Sequence, residues 1–379
     1  MSSIFDKVVD RTNSNSEKWN RYKGKDIIPM WVADMDFEAP TPIIEAMENR
    51  LNHKIFGYTP LSDDTLEAFI GFVKRHYNWD IKKEWILFSY GVVISMNFAT
   101  RVVKSKEVII NTPVYPHFYK APKNAGGRAV GVPLVEQNNR WSIDFDAFEM
   151  AISKDCKLFM LCNPHNPGGS VFTKEELSKL ANIAKKYDLI VCSDEIHADL
   201  LLNPNAKHIP IASLNKDIEQ RSITLLSPSK SFNIAGLKSS FIIIPNDSLR
   251  RKFKIEMSGL VDDPNIFANV ATKVAYSECD EWLFELRDYL RGNLELVQEF
   301  VAKNPKLKLL NQDATFLAWI DVSALNLKNP YEHFLKYGVG LSEGEPFGSK
   351  DFLRLNFGTQ RATLIEALNR MQRAIDNLV

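Results

Sequence analysis

The chain has 379 residues, enough for two domains and a large core, and its 47 Lys and Arg balance 47 Asp and Glu. No basic stripe argues for nucleic acid, and no acidic tail argues for disorder. The start, MSSIFDKVVDRTNSNSEKW, lacks an apolar core of signal-peptide length, and no later run reaches membrane-spanning length, so a soluble cytoplasmic protein is expected. Cys156, Cys162, Cys192 and Cys279 show no Cys-x-x-Cys spacing and read as reduced core thiols, and no metal site is expected.

The first forty residues are polar and irregular up to Met30-Trp31-Val32-Ala33-Asp34-Met35-Asp36-Phe37, an apolar loop with two acids two apart. Helical periodicity starts at Pro42, breaks at Phe56-Gly57-Tyr58-Thr59-Pro60 and resumes over residues 65–76. Short apolar runs then recur at 85–88, 108–110, 158–162, 189–192 and 223–226. They are separated by helix-like stretches at 92–103, 143–152 and 174–186. This alternation predicts an α/β fold with a mainly parallel sheet between helices, in which ligands sit beyond the carboxyl ends of the strands.

The residues just past each strand are therefore the ones expected to carry chemistry. Gly91 opens a helix, whose free N–H groups suit a phosphate. Tyr115 comes after the second run on a rigid turn, and Asn166 lies in the turn-rich loop after the third. Asp194 and His197 come after the fourth, and Lys230 after the fifth. Taken singly, these read equally well as a turn glycine, a core aromatic, an Asx-turn residue, a helix cap, a surface histidine and a solvated loop lysine. Their joint placement on one sheet edge points to a site. A lysine among apolar neighbours loses its proton more readily and becomes a nucleophile toward an aldehyde. Ser227, Ser229 and Lys238 add two hydroxyls and a second positive charge near Lys230.

From about residue 280 the pattern changes to a long helix at 282–301, strands at 307–310 and 315–320, a helix at 331–337, a strand at 352–357 and a closing helix from Ala362. This reads as a smaller α+β domain. Alternation in Phe352-Leu353-Arg354-Leu355-Asn356-Phe357 puts Arg354 and Asn356 on one face. An arginine in so apolar a strand needs an anion, supplied either by an internal salt bridge or by a substrate carboxylate.

Lysine, acid, aromatic ring and phosphate nest together describe a site for pyridoxal 5'-phosphate. The sequence resembles a fold-type-I pyridoxal-phosphate enzyme of the class I/II aminotransferase superfamily, on its cystathionine β-lyase or C–S lyase branch. The resemblance rests on Val8-Val9-Asp10-Arg11-Thr12, the segment from Met30 to Phe37, Phe56-Gly57-Tyr58, Asn163-Pro164-His165-Asn166-Pro167, Ser193-Asp194-Glu195-Ile196-His197, the segment from Ser229 to Leu237, and Arg354-Leu355-Asn356. It implies a large cofactor-binding domain over 46–281 and a small domain over 282–379. Residues 1–45 would form an N-terminal arm that shares in the small domain.

By that resemblance Lys230 carries the cofactor and moves the Cα proton, and Asp194 pairs with the ring nitrogen. Asn166 and His197 reach the ring hydroxyl, and Tyr115 stacks on the ring. Gly91, Val92, Ser227, Ser229, Lys238 and, from the other subunit of a homodimer, Tyr58 surround the phosphate. Arg354 holds the substrate carboxylate, with Ala33 also at the substrate. Two positions depart from the wider pattern: Gly168 removes a hydroxyl from the usual Asn-Pro-Thr-Gly turn, and Lys238 stands where many relatives place arginine. The implied reaction is β-elimination from cystathionine or a related cysteine S-conjugate, giving thiol, pyruvate and ammonia; the alternative is transamination. A Ser-x-x-Lys acyl enzyme at Ser227 and Lys230 lacks its Ser-Asp-Asn and Lys-Thr-Gly companions. No dinucleotide, Walker or His-Glu-x-x-His motif occurs.

Overall fold

The computed structural model describes residues 3–378. Its strands, in chain order, are β1 (Ile28–Pro29), β2 (Ile86–Ser89), β3 (Glu107–Thr112), β4 (Arg128–Gln137), β5 (Arg140–Ile143), β6 (Cys156–Cys162), β7 (Ile190–Asp194), β8 (Ser222–Leu226), β9 (Ser240–Ile243), β10 (Leu317–Asp321), β11 (Val339–Gly340), β12 (Ser342–Glu343) and β13 (Phe352–Asn356).

Eight of them form one sheet in the order β2-β9-β8-β7-β6-β3-β4-β5. Its centre, from β8 through β4, is parallel. β9 runs antiparallel to both β8 and β2, so the two reversals return β2 to the direction of β8. The carboxyl ends of β2, β3, β6, β7 and β8 therefore share one edge.

Both faces of this sheet are covered, and side-chain alternation divides its core. Val108, Ile110, Leu158 and Met160 pack on the helix Val92–Val103, while Ile109, Phe159, Leu161 and Val191 face Leu177, Leu180 and Ile183 of the helix Lys174–Lys186. The second helix starts at a capping box in which Thr173 and Glu176 satisfy each other's backbone N–H groups. A third apolar cluster joins the helices Asp63–Tyr77 and Ile266–Glu278 to the sheet, with the Phe69 and Phe241 rings stacked at 4.2 Å.

The C-terminal sheet has the order β10-β13-β12 and is antiparallel. β1 pairs with β11, so the start of the chain joins this part of the molecule.

Two sequence expectations need correction, and two features of the large sheet were not expected. Residues 307–310 make only a single bridge, Lys308 with Asp321, because the chain leaves that register to bond Asn311 N to the Asn139 carbonyl at 2.8 Å. The expected helix at 143–152 is shorter, Phe145–Met150, since Ile143 belongs to β5 and the Asp144 side chain caps Ala147 N. The hairpin β4–β5 has no counterpart in the apolar pattern. It turns at Asn138 and Asn139, both with positive φ, as a two-residue hairpin requires. The reversed strand β9 is likewise absent from the pattern. Among the described residues no helix is long and apolar enough to cross a membrane, and no cluster of three metal-binding side chains occurs.

Candidate active site

A cavity of about 1060 Å³ lies beyond the shared strand edge, closed on its other side by the N-terminal arm and the C-terminal sheet. Gly91, Val92, Tyr115, Asn166, Asp194, His197, Ser229, Lys230, Lys238, Arg354 and Ala33 all line it. The two remaining sequence candidates do not. Ser227 lies behind the wall, where its hydroxyl donates to the Ser239 carbonyl at 2.6 Å and touches the Ser229 hydroxyl at 2.8 Å. Tyr58 is fully exposed, away from the cavity of its own chain.

Lys230 comes after the wholly buried β8, and its amine donates to the Ala33 carbonyl at 2.5 Å. Burial brings its pKa down to about 8, with the positive charges of Arg354 and Lys238 acting in the same direction and the negative charges of Asp34 and Asp194 against it. Asp194 ends β7 at 4 % exposure, and its carboxylate accepts only from the Ile196 N–H, at 3.2 Å. Burial raises its pKa to about 7. A buried carboxylate with one backbone donor is short of a cation.

His197 is buried and its Nδ1 has no partner. Burial, reinforced by Lys230 and Arg354, lowers its pKa to about 3, so the ring is neutral at pH 7 and offers one donor and one acceptor. Gly91 caps the helix Val92–Val103 with φ 145°, a backbone that a residue with a Cβ rarely adopts, and aims the first turn's N–H groups at the cavity.

Arg354, in the middle of β13, is 5 % exposed. Its Nη1 donates to Asn166 Oδ1 at 3.0 Å and its Nη2 to the Trp31 carbonyl at 3.0 Å, while the guanidinium lies 4.6 Å over the Phe347 ring. Its Nε is buried without a partner, and burial lowers its pKa to about 10. All of its protein hydrogen-bond acceptors are uncharged. Of the two anion sources left open by the sequence, an internal salt bridge is absent among the described residues.

The arm is held as firmly as the strands. Asn233 accepts from Met35 N and donates to the carbonyls of Met35 and Phe37, and Asn356 donates to those of Val32 and Asp34. Beneath it, buried Lys18 pairs with Asp36 at 2.6 Å, and Arg11 bridges Asp34 and Asp36. Sequence reasoning marks this arm as a motif but misses Trp31 and Ser342 as cavity walls.

A second buried layer backs the site. Glu195 accepts from Ser193 at 2.8 Å and pairs with His208 at 2.8 Å, and Asp199 accepts from Ser231 at 2.5 Å and from the Tyr77 hydroxyl. The residue after Asp194 and the residue after Lys230 are thus each anchored from behind.

A family model described as aminotransferase class I and II matches residues 25–371. The cystathionine beta-lyase PatB of Bacillus subtilis (strain 168) is 39% identical, covering 98% of this chain and 99% of that protein. Protein MalY of Escherichia coli (strain K12) is 32% identical, over 98% of each. Among solved structures, OvoB has a TM-score of 0.96 at 44% identity, covering 98% of this chain and 99% of that one. Cystalysin from Treponema denticola, which contains pyridoxal 5'-phosphate, has a TM-score of 0.95 at 32% identity over the whole of both chains. The match runs from the arm that closes the cavity to the last helix, and the chain belongs to the class I and II aminotransferase family.

Proposed function

We propose that the protein is a pyridoxal 5'-phosphate-dependent carbon–sulfur lyase of the cystathionine β-lyase type. The observation that carries this reading is the convergence of Lys230, Asp194 and Arg354 on one cavity, each charged group short of a protein counterion. The residues fit the cofactor. Asp194 needs a cation and a protonated ring nitrogen supplies one; the neutral His197 ring lines the same cavity; Gly91, Val92, Ser229 and Lys238 suit a phosphate.

When bound, pyridoxal 5'-phosphate supplies an electron sink for the pair left on Cα. The chain's own groups do the rest. Arg354 takes the substrate carboxylate with its guanidinium, and so fixes which Cα bond faces Lys230. The Lys230 amine, near neutrality in its proton affinity, removes the Cα proton. The electron pair expels a thiolate from Cβ, and uptake of water completes pyruvate and ammonia. Kinship with PatB and with the C–S lyase of Staphylococcus hominis supports elimination as the outcome.

The reading includes a homodimer in which Tyr58 completes the partner's phosphate site. Its support is the run of exposed apolar side chains beside Tyr58, namely Leu51, Ile55 and Phe56. It also includes residence in a reducing cytoplasm, supported by four free buried cysteines. The proposed domain organisation divides the chain at 46–281 and 282–379, with residues 1–45 as the arm.

The test is to incubate purified holoprotein with L-cystathionine and assay pyruvate, ammonia and thiol together. Equal amounts of all three are expected. Conversion of the cofactor to its pyridoxamine form without thiol release would replace elimination by transamination.

A further inference from the structure

We propose that Glu17, Arg21 and Glu343 form a second recognition site at the mouth of the cavity, which takes the α-amino-acid group carried by the thiol leaving group. This rests on the lyase reading and names the substrate class within it. The preferred substrates are thioethers whose departing sulfur bears its own ammonium and carboxylate, not simple S-alkyl cysteines.

The placement depends on a single point, the Trp31 carbonyl. It accepts from Arg354 at 3.0 Å and from the Ser342 hydroxyl at 2.8 Å. Glu343 is the next residue along β12 and lines the cavity. On the other side, the Trp31 indole donates to the Lys18 carbonyl at 3.1 Å, and its ring carries the Arg21 guanidinium at 4.1 Å. Glu17 and Arg21 are four apart on the short helix Glu17–Asn20 and its cap, hence on one face, and both line the cavity. The three charges therefore border the clamp that holds the substrate's reacting end. Glu17 also looks across the cavity: the Tyr115 hydroxyl, held above its ordinary pKa chiefly by burial, is raised further by the Glu17 carboxylate.

Pairing separates these three from their neighbours. Arg11, Lys18, Asp34 and Asp36, on the same arm, are all consumed in ion pairs. Among the described residues Glu17, Arg21 and Glu343 have no salt bridge, although opposite charges lie on one rim; the side-chain hydrogen bond that Arg21 makes is to the uncharged Tyr22 hydroxyl. Two carboxylates and one guanidinium on the wall of a common cavity complement an ammonium and a carboxylate borne on one carbon of the ligand. A volume of about 1060 Å³ is at the upper end for small-molecule sites, large enough for such a group as well as the cofactor. The stacking of Arg21 on Trp31 limits the freedom lost when it binds.

The test compares kcat/KM for L-cystathionine and S-ethyl-L-cysteine in the parent, Glu17→Gln/Glu343→Gln and Arg21→Gln holoenzymes. A fall of about tenfold or more is expected for cystathionine alone, equivalent to about 1.4 kcal/mol. It should shrink as salt screens the rim. Equal falls for both substrates, or none, would overturn the subsite. Binding is read separately by calorimetry in holoprotein carrying Lys230→Ala, where cystathionine should bind more tightly than S-ethyl-L-cysteine and the rim substitutions should erase the difference. If the parent releases thiol from neither substrate, the lyase reading fails; a calorimetric preference that the rim substitutions remove still supports the subsite, and equal affinities overturn it.

Discussion

Arg354 Nη1 donates to Asn166 Oδ1 at 3.0 Å, so a residue from the C-terminal sheet is hydrogen-bonded to one from the loop after β6. The proposed clamp for the substrate carboxylate is thereby tied to the wall expected to reach the cofactor ring. Truncating Arg354 to alanine removes a buried charge-assisted contact, a loss on the order of 2–5 kcal/mol. The kcat/KM for a cysteine S-conjugate should fall by at least about thirtyfold, by that measure. S-ethylcysteamine, which lacks the carboxylate, serves as the control. An equal loss with the decarboxylated compound would remove Arg354 from carboxylate binding.

Lys230 offers a prediction in pH. Its folded pKa of about 8 lies below the ordinary lysine value of 10.5, so the amine becomes free for attack as pH rises through 8. Capture of pyridoxal 5'-phosphate by cofactor-free protein, observed as a borohydride-reducible adduct, should rise through that region, and Lys230→Ala should give no adduct. The same shift weakens folding. Below 8 the buried site disfavours a proton that the unfolded chain binds, and this cost is relieved as pH rises from about 8 to 10.5. A capture profile with a midpoint near 10.5 would contradict the buried environment assigned to the amine.

Asp36 stabilises the fold where Lys230 costs it, although in both cases stability rises with pH. Burial opposes its charge, but Lys18, Trp19 and Arg11 outweigh that and hold its pKa below the usual 3.8. Its stabilising share is fully present above 3.8 and is lost as pH falls through the lower folded value. Replacing Asp36 by alanine leaves buried Lys18 with only Asp34, at 3.9 Å, and should cost on the order of 3–5 kcal/mol in urea unfolding. A cost under about 1 kcal/mol would mean that Lys18 finds water or another acceptor once its partner is gone.

Tyr58 provides a test between chains. Lys230→Ala and Tyr58→Ala dimers, mixed under exchange, should regenerate one whole site in each heterodimer, about a quarter of all sites at equal mixing if association is symmetric. Exchange without recovered thiol release would show that each chain completes its own site.

Much of this was legible because parallel strands place chemistry at their ends. Gly91, Tyr115, Asn166, Asp194 and Lys230 each come after a strongly apolar run, and the fold brings all five to one edge. Side-chain direction was not legible. Ser227 and Ser229 look alike in sequence, yet only Ser229 reaches the cavity, because the Ser239 carbonyl on the neighbouring segment draws the Ser227 hydroxyl away. In the edge hairpin β4 buries only Val132 and Leu134 and β5 is four residues long, so the pair lacks the apolar density that revealed the central strands. Glu17, Arg21 and Glu343 read as ordinary surface charges, since only the fold of the arm onto Trp31 sets them on a common rim.

The pairing of Ile28 with Val339 and the grip of Asn356 on the carbonyls of Val32 and Asp34 also impose an order on synthesis. The arm leaves the ribosome well before the strands that receive it, which lie roughly 300 residues further on. Loop closure of that span costs entropy before any contact repays it. Until β13 has emerged, the arm is gripped by Asn233 but not by Asn356, so the carbonyls of Val32 and Asp34, on either side of the Ala33 that accepts from Lys230, are unheld. A nascent chain arrested before Asn356 thus carries Lys230 but no finished chamber around it, and β13 is the strand that completes the wall.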